Sequence, residues 1–188
     1  MIDLRGRSAL VTGSSQGVGR SIAEALARAG ANVVIHGHQA TPQAEEVLDN
    51  CRDAGVQASF IVGDLSGPTA GAVKDLFDAA CGANGHIDIL VNNAGSLFDV
   101  DFLEMDVDRY ERTMRLNVAA PYFLTQLFSR RWIERGIAGR VLFTGSINGR
   151  LAEQTHTAYD TSKGAIEAMV KTLCVSLAPH NIRVNGMA

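Results

Sequence analysis

The sequence predicts a single-domain α/β protein, spanning residues 1–188, in which helices cover both faces of a parallel sheet. Three observations support this prediction. Short apolar segments alternate with amphipathic helical segments along the chain. Several of the apolar segments are almost continuously hydrophobic, as expected for strands that are buried on both faces. A glycine-rich turn also connects the first predicted strand to the first predicted helix.

The predicted elements follow one another in regular alternation. Strands are predicted at residues 7–12, 31–36, 57–62, 87–91, 139–144 and 182–185. Helices are predicted at residues 21–29, at about 44–51 and 73–80, from about 106 to 134, and from 157 to 179. Pro121 should kink or interrupt the longest of these helices. Because crossovers between parallel strands are right-handed, this order predicts a Rossmann-type doubly wound sheet.

Each helix is predicted from apolar residues that recur at helical spacing. The apolar faces are Ile22, Ala25, Leu26 and Ala29; Ala44, Val47, Leu48 and Cys51; Val73, Leu76, Phe77 and Ala80; Met114, Leu116, Val118, Phe123, Leu124, Leu127 and Phe128; and Ala165, Ile166, Met169, Leu173 and Leu177. Gly30 is suited to end the first helix. Thr157, with Asp160 three residues later, predicts a capping box at the start of the last helix.

The turn Gly13-Ser14-Ser15-Gln16-Gly17-Val18-Gly19 has the context of a phosphate-binding site, because it follows a strand and opens a helix. Glycines allow the backbone to approach a pyrophosphate, and the free N–H groups of the helix start receive its charge. An ordinary tight turn would be the alternative interpretation. The position of the turn between strand and helix favours phosphate binding.

Composition and charge exclude several classes of protein. Hydrophobic residues make up 46% of the 188 residues and charged residues 20%, which are values typical of globular domains. The formal net charge of -3 argues against a nucleic-acid partner. No signal peptide and no apolar run of membrane-spanning length are recognised, so we expect no membrane partner and a cytoplasmic location.

Cysteine and histidine spacing provides no sign of a disulfide framework or a metal site. The three cysteines are odd in number and far apart, which is typical of reduced thiols in the cytosol. The five histidines form none of the common ligand patterns. We therefore predict that the protein holds no metal.

Tyr159 and Lys163 lie four residues apart and would share one face of the last predicted helix. A cation close to a phenol favours the phenolate, so such a pair can give or take a proton near neutral pH. The pair alone is more typical of a solvated helix edge. Its surroundings change that interpretation, because Ser146 and the segment Asn92-Asn93-Ala94-Gly95 follow predicted strands, where ligands of such sheets bind.

Together these segments resemble the short-chain dehydrogenase/reductase family over essentially the whole chain. The motifs that carry the resemblance are Thr12-Gly13-x-x-x-Gly17-x-Gly19, Asp64 after the third strand, Asn92-Asn93-Ala94-Gly95, Asn117, Ser146 and Tyr159-x-x-x-Lys163. The resemblance implies an NAD(P)-dependent oxidoreductase that transfers hydride between a nicotinamide and a small-molecule carbonyl or secondary alcohol substrate.

The resemblance implies four catalytic residues. Tyr159 would be the general acid in carbonyl reduction and the general base in alcohol oxidation. Lys163 would favour the phenolate and bind the nicotinamide ribose, and Ser146 would hold the substrate oxygen. Asn117 would anchor a water that links Lys163 to solvent. His156, three residues before the tyrosine, could lean over the catalytic face, but a loop residue at the helix start is the favoured interpretation.

The implied cofactor contacts surround the ends of four strands. They are Gly13, Ser15, Gln16, Gly17, Val18, Gly19, His38, Asp64, Leu65, Asn93, Ala94, Gly95, Tyr159 and Lys163. Asp64 would accept a hydrogen bond from the adenine amino group.

An acidic residue after the second strand would select NAD, but residues 36–39 contain no carboxylate. We therefore expect NADP(H) rather than NAD(H). His38 could bind the 2'-phosphate when it is protonated, and a neutral surface histidine is the alternative interpretation. The arginine found in many NADP-preferring members is also absent here.

Family members usually continue with a substrate-covering loop, its helix and a final strand, so we expect a chain truncated after the start of the sixth strand. Two functions follow. The first is the oxidoreductase, which the intact Ser146, Tyr159 and Lys163 favour. The alternative is a nucleotide-binding module with little or no turnover, because a covering segment excludes water and selects substrate.

The resemblance also implies a homo-oligomer, a tetramer or dimer, formed through parts of residues 106–134 and 157–178.

Overall fold

A six-stranded parallel sheet forms the centre of the molecule in the computed structural model, which describes residues 2–188. The strands are β1 (Ser8–Val11), β2 (Asn32–Gly37), β3 (Ala58–Val62), β4 (Ile89–Asn92), β5 (Arg140–Thr144) and β6 (Arg183–Met187). Their spatial order is β3-β2-β1-β4-β5-β6, and every neighbouring pair is parallel. The predicted doubly wound sheet is confirmed, with its reversal of strand order beside β1 and β4.

Helices cover both faces of the sheet. They are α1 (Gly17–Arg28), α2 (Pro42–Asp53), α3 (Thr69–Asn84), α4 (Val107–Met114), α5 (Ala120–Arg135) and α6 (Thr157–Leu177). Helices α1 and α2 pack with Val11 and Ile35 on one face. Helices α3, α5 and α6 pack with Leu10, Leu90 and Phe143 on the other. Neighbouring residues of one strand thus enter different cores, which explains why the strands read as continuous apolar runs.

Helix α5 carries the two largest side chains of the core. Phe128 and Trp132 are fully buried, and the Trp132 indole N–H donates to the Ile87 carbonyl. Burial of each such side chain contributes roughly 1.5–3 kcal/mol. This packing fixes α5 against β4, and therefore fixes the helical segment that precedes α5.

The long helical region is interrupted, as Pro121 predicted. A π-helical segment, Arg115–Ala119, joins α4 to α5. The Ala120 N–H bonds to the Arg115 carbonyl, five residues back, and proline has no N–H with which to continue the normal ladder. The interruption contains Asn117, which is only 3% exposed. A predicted catalytic residue therefore lies at the irregular part of the helix.

Two local predictions were wrong. Helix α1 begins at Gly17 rather than near Ser21, because residues 17–20 at the end of the turn already belong to the helix. The capping box at the start of α6 does not form: His156 occupies the N-cap position without a side-chain bond, and the Asp160 carboxylate binds other groups. Across residues 2–188, every helix is too short or too polar to cross a membrane.

Candidate active site

The glycine turn lies between β1 and α1 and is tightly packed. Gly13 has φ of +61°, and a Cβ there would lie 2.8 Å from the Ala94 Cα. A Cβ on Gly19 would lie 2.3 Å from the Gly13 carbonyl oxygen and 2.4 Å from the Asn93 side-chain nitrogen. Such distances leave no room for a side chain. Glycine is therefore required at both positions for packing.

The start of α1 can receive an anion. Gln16 holds the N-cap position in an extended conformation, and no side chain within residues 2–188 caps this helix. The first N–H groups of an α-helix have no partner inside the helix and carry the positive end of its dipole. The N–H groups of Gly17, Val18 and Gly19 are therefore placed as a phosphate site requires.

Two side chains hold the turn against β4. The Thr12 hydroxyl oxygen accepts from the N–H groups of Asn93 and Ala94, both at 3.0 Å. The Asn93 amide donates in return to the carbonyls of Thr12 and Gly13, both at 3.0 Å. Asn93 was expected as a cofactor contact. Its side-chain amide instead binds the backbone of the glycine turn, so it stabilises the conformation of the turn.

The adenine side of the predicted cofactor site lies beyond β2 and β3. Asp64 is exposed, and its Oδ1 accepts from the backbone N–H and hydroxyl of Ser66, at 2.8 and 2.7 Å. These bonds lower the pKa of Asp64, and because both use Oδ1, Oδ2 can accept from another donor. The Leu65 side chain is 4% exposed and belongs to the core, so only its backbone could contact a nucleotide.

The structure brings Lys163 and Tyr159 together on α6. The Lys163 ammonium lies 5.4 Å from the centroid of the Tyr159 ring and donates to the Thr144 carbonyl at 2.9 Å. Lys163 is 6% exposed, and this burial lowers its pKa. A buried lysine releases its proton more readily than a surface lysine, which suits a group that relays protons.

Lys163 is connected to the glycine turn through the ends of β4 and β5. The Thr144 hydroxyl donates to the Asn93 Oδ1 at 3.2 Å, while the Thr144 carbonyl accepts from Lys163. Asn93 in turn donates to the carbonyl of Gly13. Groups from three neighbouring strand ends thus form one hydrogen-bonded chain.

Asn117 joins three segments. Its amide nitrogen donates to the Ser96 carbonyl at 2.9 Å and to the Ser162 hydroxyl at 3.0 Å, and its Oδ1 accepts from the Ser96 N–H at 2.9 Å. Ser162 donates to the Tyr159 carbonyl at 2.7 Å. The side chain therefore links the loop after β4 to the first turns of α6. One lone pair of Oδ1 remains for the water expected at this residue.

Ser146 begins a short turn that leads from β5 towards α6. Its hydroxyl oxygen accepts from the Asn148 N–H at 3.1 Å and lies 3.3 Å from the Asn148 Oδ1. The Asn148 side chain donates to Asp160 at 2.8 Å, and Asp160 also accepts from the Glu153 N–H at 2.9 Å. The carboxylate expected to cap α6 instead ties the Ser146 turn to the helix that carries Tyr159.

His156 lies at the start of α6, as expected, but its ring also contacts the ring of Tyr159. The rings of His156 and Tyr159 are 6.3 Å apart and nearly perpendicular. The His156 Nε2 is 3.9 Å from an Asp99 carboxylate oxygen. The histidine therefore forms one wall beside the phenol.

A family model described as "short chain dehydrogenase" matches residues 7–188. The chain belongs to the short-chain dehydrogenase/reductase family. It is accordingly an NAD(P)-dependent oxidoreductase of the class that acts on small alcohol and carbonyl compounds. This assignment confirms the family, the fold and the enzyme class that the sequence motifs predicted.

Relatives and solved structures of the short-chain dehydrogenase/reductase family match nearly the whole chain. L-rhamnose 1-dehydrogenase (NADP(+)) of Thermoplasma acidophilum is 34% identical over 187 residues, with 100% of this chain and 73% of that protein covered. L-xylulose reductase of Bos taurus is 35% identical over 188 residues, covering 99% and 72%. A gluconate 5-dehydrogenase from Burkholderia cenocepacia, solved with NADP and tartrate, superposes with a TM-score of 0.87 at 34% identity, covering 98% and 71%.

Sequence reasoning did not anticipate several residues that organise this short-chain dehydrogenase/reductase site. Thr144, Asn148 and Asp160 hold the side that carries Ser146, Tyr159 and Lys163, and Thr12 holds the glycine turn. Thr12 was part of a recognised motif but had no assigned role. A further signal was available at His36, because a polar residue inside the apolar strand β2 must find a buried partner.

Proposed function

We propose that the protein transfers hydride between NADP(H) and a polyhydroxy carbonyl or secondary alcohol substrate, with Tyr159 as the general acid and base. The observation that carries this proposal is the contact of Tyr159 and Lys163 at the carboxyl ends of the strands. The glycine turn, which has free N–H groups for a phosphate, lies at the same edge of the sheet. Hydrogen bonds through Asn93 and Thr144 connect this turn to Lys163.

In the proposed reduction, the bound nicotinamide supplies the hydride to the carbonyl carbon. The Tyr159 hydroxyl donates its proton to the carbonyl oxygen, so that an alcohol forms and a phenolate remains. The Lys163 ammonium, 5.4 Å from the ring centroid, stabilises that phenolate. The Ser146 hydroxyl donates to the substrate oxygen and holds it in place. Oxidation of an alcohol reverses each of these transfers.

Replacement of Tyr159 tests the proton-transfer role. We expect Tyr159→Phe to lower kcat for NADPH oxidation with ketose substrates by about 10²-fold or more, with cofactor affinity retained. Tyr122→Phe, which removes a hydroxyl from an exposed tyrosine of α5, is the matched control. Unchanged turnover in Tyr159→Phe would refute the assignment. A wild-type protein that binds NADPH but turns over no substrate would instead support the nucleotide-binding module.

The preference for NADP(H) is proposed from the end of β2. His38 is exposed there, and Gly37 leaves space beside the Ser15 hydroxyl, since a Cβ at Gly37 would lie 3.0 Å from that oxygen. A hydroxyl and an imidazole can both bind a 2'-phosphate, and no carboxylate in residues 36–39 repels it. The NADP-linked relatives support the same preference.

Titration of the wild-type protein with NADPH and NADH should show several-fold tighter binding of NADPH. His38→Asp should reverse the order, because a carboxylate repels the phosphate and accepts from a ribose hydroxyl. His38→Gln is the control for loss of the imidazole alone. Several-fold tighter binding of NADH by the wild type would overturn this part of the proposal.

The substrate class is proposed from the relatives. Their names specify sugars or sugar acids: L-rhamnose, L-xylulose and gluconate. A panel of ketoses, keto-acids and simple ketones should give higher kcat/KM values for the polyhydroxy compounds. A panel in which simple ketones react best would contradict this choice.

Self-association is proposed through α5 and α6. Large apolar side chains are exposed on these helices: Tyr122, Phe123, Ile133 and Val175. Burial of such residues between subunits is favourable. Sedimentation should therefore reveal a dimer or tetramer, and a clean monomer at micromolar concentration would contradict this proposal.

A further inference from the structure

His36 lies at the meeting point of the glycine turn and two strand ends. It belongs to β2 and is only 2% exposed. Its ring contacts two backbone groups from other segments. The Gly13 N–H donates to Nδ1 at 3.2 Å, and Nε2 is 3.0 Å from the Gly63 carbonyl oxygen. One imidazole therefore bridges the phosphate turn and the segment that follows β3.

The two partners determine the tautomer of the ring. A carbonyl oxygen can only accept, so Nε2 must carry the hydrogen, and a backbone N–H can only donate, so Nδ1 must present its lone pair. A protonated ring would direct a second N–H at the Gly13 N–H and lose that bond. Only the neutral Nε2–H form satisfies both neighbours.

The environment of the ring keeps it neutral. Burial lowers the pKa of His36 to about 4. The nearby titratable groups are His38, whose charge would lower the pKa further, and Asp64, whose charge opposes that effect, as does the bond to Gly63. At pH 7 the acceptor for Gly13 is therefore present.

The backbone of His36 also binds the turn. The His36 N–H donates to the Ser14 hydroxyl oxygen at 3.1 Å, and the Ser14 N–H donates to the His36 carbonyl at 2.8 Å. These bonds anchor Ser14 whatever side chain occupies position 36. The bond to Gly13 is different, because it depends on the imidazole.

We propose that His36 is a positioning residue for the cofactor, whose ring sets the orientation of the Gly13 peptide and thereby the shape of the phosphate-binding turn. The inference rests on the proposed binding of NADP(H) at this turn. The proposal predicts that the residue at position 36 controls the affinity for the cofactor, although the His36 side chain is buried beneath the turn. Chemistry at Tyr159 should depend little on His36 once the cofactor is bound.

Three substitutions separate the two ring contacts. His36→Asn retains an acceptor close to the Nδ1 position, His36→Gln extends its amide towards the Nε2 position, and His36→Phe keeps a ring without polar atoms. We expect the Kd for NADPH to rise about tenfold or more in His36→Phe, which corresponds to roughly 1.4 kcal/mol. In His36→Asn it should stay within about threefold of the wild type, the range expected when the key bond is kept.

The measurements are NADPH titrations by nucleotide fluorescence, with KM for NADPH and kcat at saturating cofactor. KM should follow Kd while kcat stays within about twofold, since the lost cofactor-binding energy is the same in the ground state and in the transition state. If His36→Phe does not fold, the comparison of His36→Asn with His36→Gln decides, and the asparagine variant should bind more tightly.

The inference is overturned if a folded His36→Phe binds NADPH as the wild type does, if the glutamine variant equals or exceeds the asparagine variant, or if kcat falls in proportion to affinity. Failure of the wild type to bind NADPH would refute the proposed cofactor instead. The two failures are thus distinguishable in one set of titrations.

Discussion

The two halves of the site, the phosphate turn (residues 12–19) and the catalytic turn (residues 145–156), are stabilised in different ways. Thr12 and Ser14 in the phosphate turn are 2% and 0% exposed; Thr12 accepts from Asn93 after β4, and Ser14 accepts from His36 of β2. In the catalytic turn, Ile147 and Leu151 are 64% and 60% exposed. The first part of the phosphate turn is therefore anchored in the protein core, although Val18 further along is 56% exposed, whereas the catalytic turn is held by polar contacts near the surface.

This difference has a functional consequence. A turn that belongs to the core is preorganised, so little entropy is lost when a cofactor binds. A turn held by a few polar groups can adjust to different substrates without disturbing the sheet. We therefore expect changes in the phosphate turn to affect both stability and cofactor affinity, and changes in the catalytic turn to affect turnover alone.

The largest expected effect comes from Gly19→Ala. The new Cβ would lie 2.3 Å from the Gly13 carbonyl oxygen, and backbone atoms must move to relieve the overlap. We expect a loss of about 3 kcal/mol in the free energy of unfolding. The Kd for NADP⁺ should rise about 100-fold or more, because displacement of the turn by a few tenths of an ångström removes aligned donors. Urea unfolding and cofactor titration measure the two effects.

Gly82→Ala is the matched control. Gly82 lies within α3, where a Cβ would meet no atom within 4 Å. Alanine should raise the free energy of unfolding by up to about 1 kcal/mol, with cofactor affinity unchanged. Near-normal binding of NADP⁺ by Gly19→Ala would show that the phosphate turn is less rigid than its packing indicates.

A second effect, of similar or smaller size, is acid destabilisation through His36. Burial lowers the pKa of this residue from its ordinary value of 6.5 to about 4 in the folded protein. Between these values the unfolded chain binds a proton that the folded chain does not. Stability is therefore complete above pH 6.5 and decreases as the pH falls towards 4, by at most about 3 kcal/mol at 1.36 kcal/mol per pH unit.

Urea unfolding at pH 7 and pH 4.5 should reveal this loss when the wild type is compared with His36→Asn. Both proteins share the same carboxylates, so the difference between their pH dependences isolates the imidazole. The asparagine variant should lose less stability on acidification. Equal losses would mean that the buried ring adds no acid sensitivity to the phosphate turn.

The sequence predicted the sheet, the family and the residues at the strand ends, because these depend on local patterns. Apolar segments with glycine turns specify strands and crossovers, and parallel strand ends meet at one edge of the sheet. Asn93 and Ser146 could thus be assigned to one region although they are far apart in the chain, and the resemblance to the family added Lys163.

The sequence did not predict which partners these residues bind. His36 reaches Gly13 and Gly63, which are 23 and 27 residues away, and only the packed sheet brings them together. Asp160 matched a local capping pattern, yet Asn148 and the Glu153 N–H bind its carboxylate. The capping prediction failed because the conformation of residues 147–156 decides which donors are near, and no short pattern specifies that conformation.

The smallest expected effect comes from Asp160→Ala, which tests the catalytic turn alone. The substitution removes the acceptor of Asn148 and of the Glu153 N–H, so the Ser146 hydroxyl is less well oriented towards the substrate oxygen. We expect kcat/KM to fall about tenfold, equivalent to about 1.36 kcal/mol of transition-state stabilisation. The Kd for NADP⁺ should stay within about twofold, since the phosphate turn shares no bond with Asp160.

Arg150→Ala is the control within the same turn. Arg150 pairs with Glu167 at 2.7 Å, but its side chain is 76% exposed, and exposed pairs contribute about 0–1 kcal/mol. This variant should retain wild-type kcat/KM and cofactor affinity. If Asp160→Ala weakens NADP⁺ binding as much as it lowers kcat/KM, the two turns are coupled, and the most direct route is through Lys163, Thr144 and Asn93. If Asp160→Ala changes only kcat/KM, the hydrogen bonds through Lys163, Thr144 and Asn93 align the two turns, but loosening of the catalytic turn does not alter the phosphate turn.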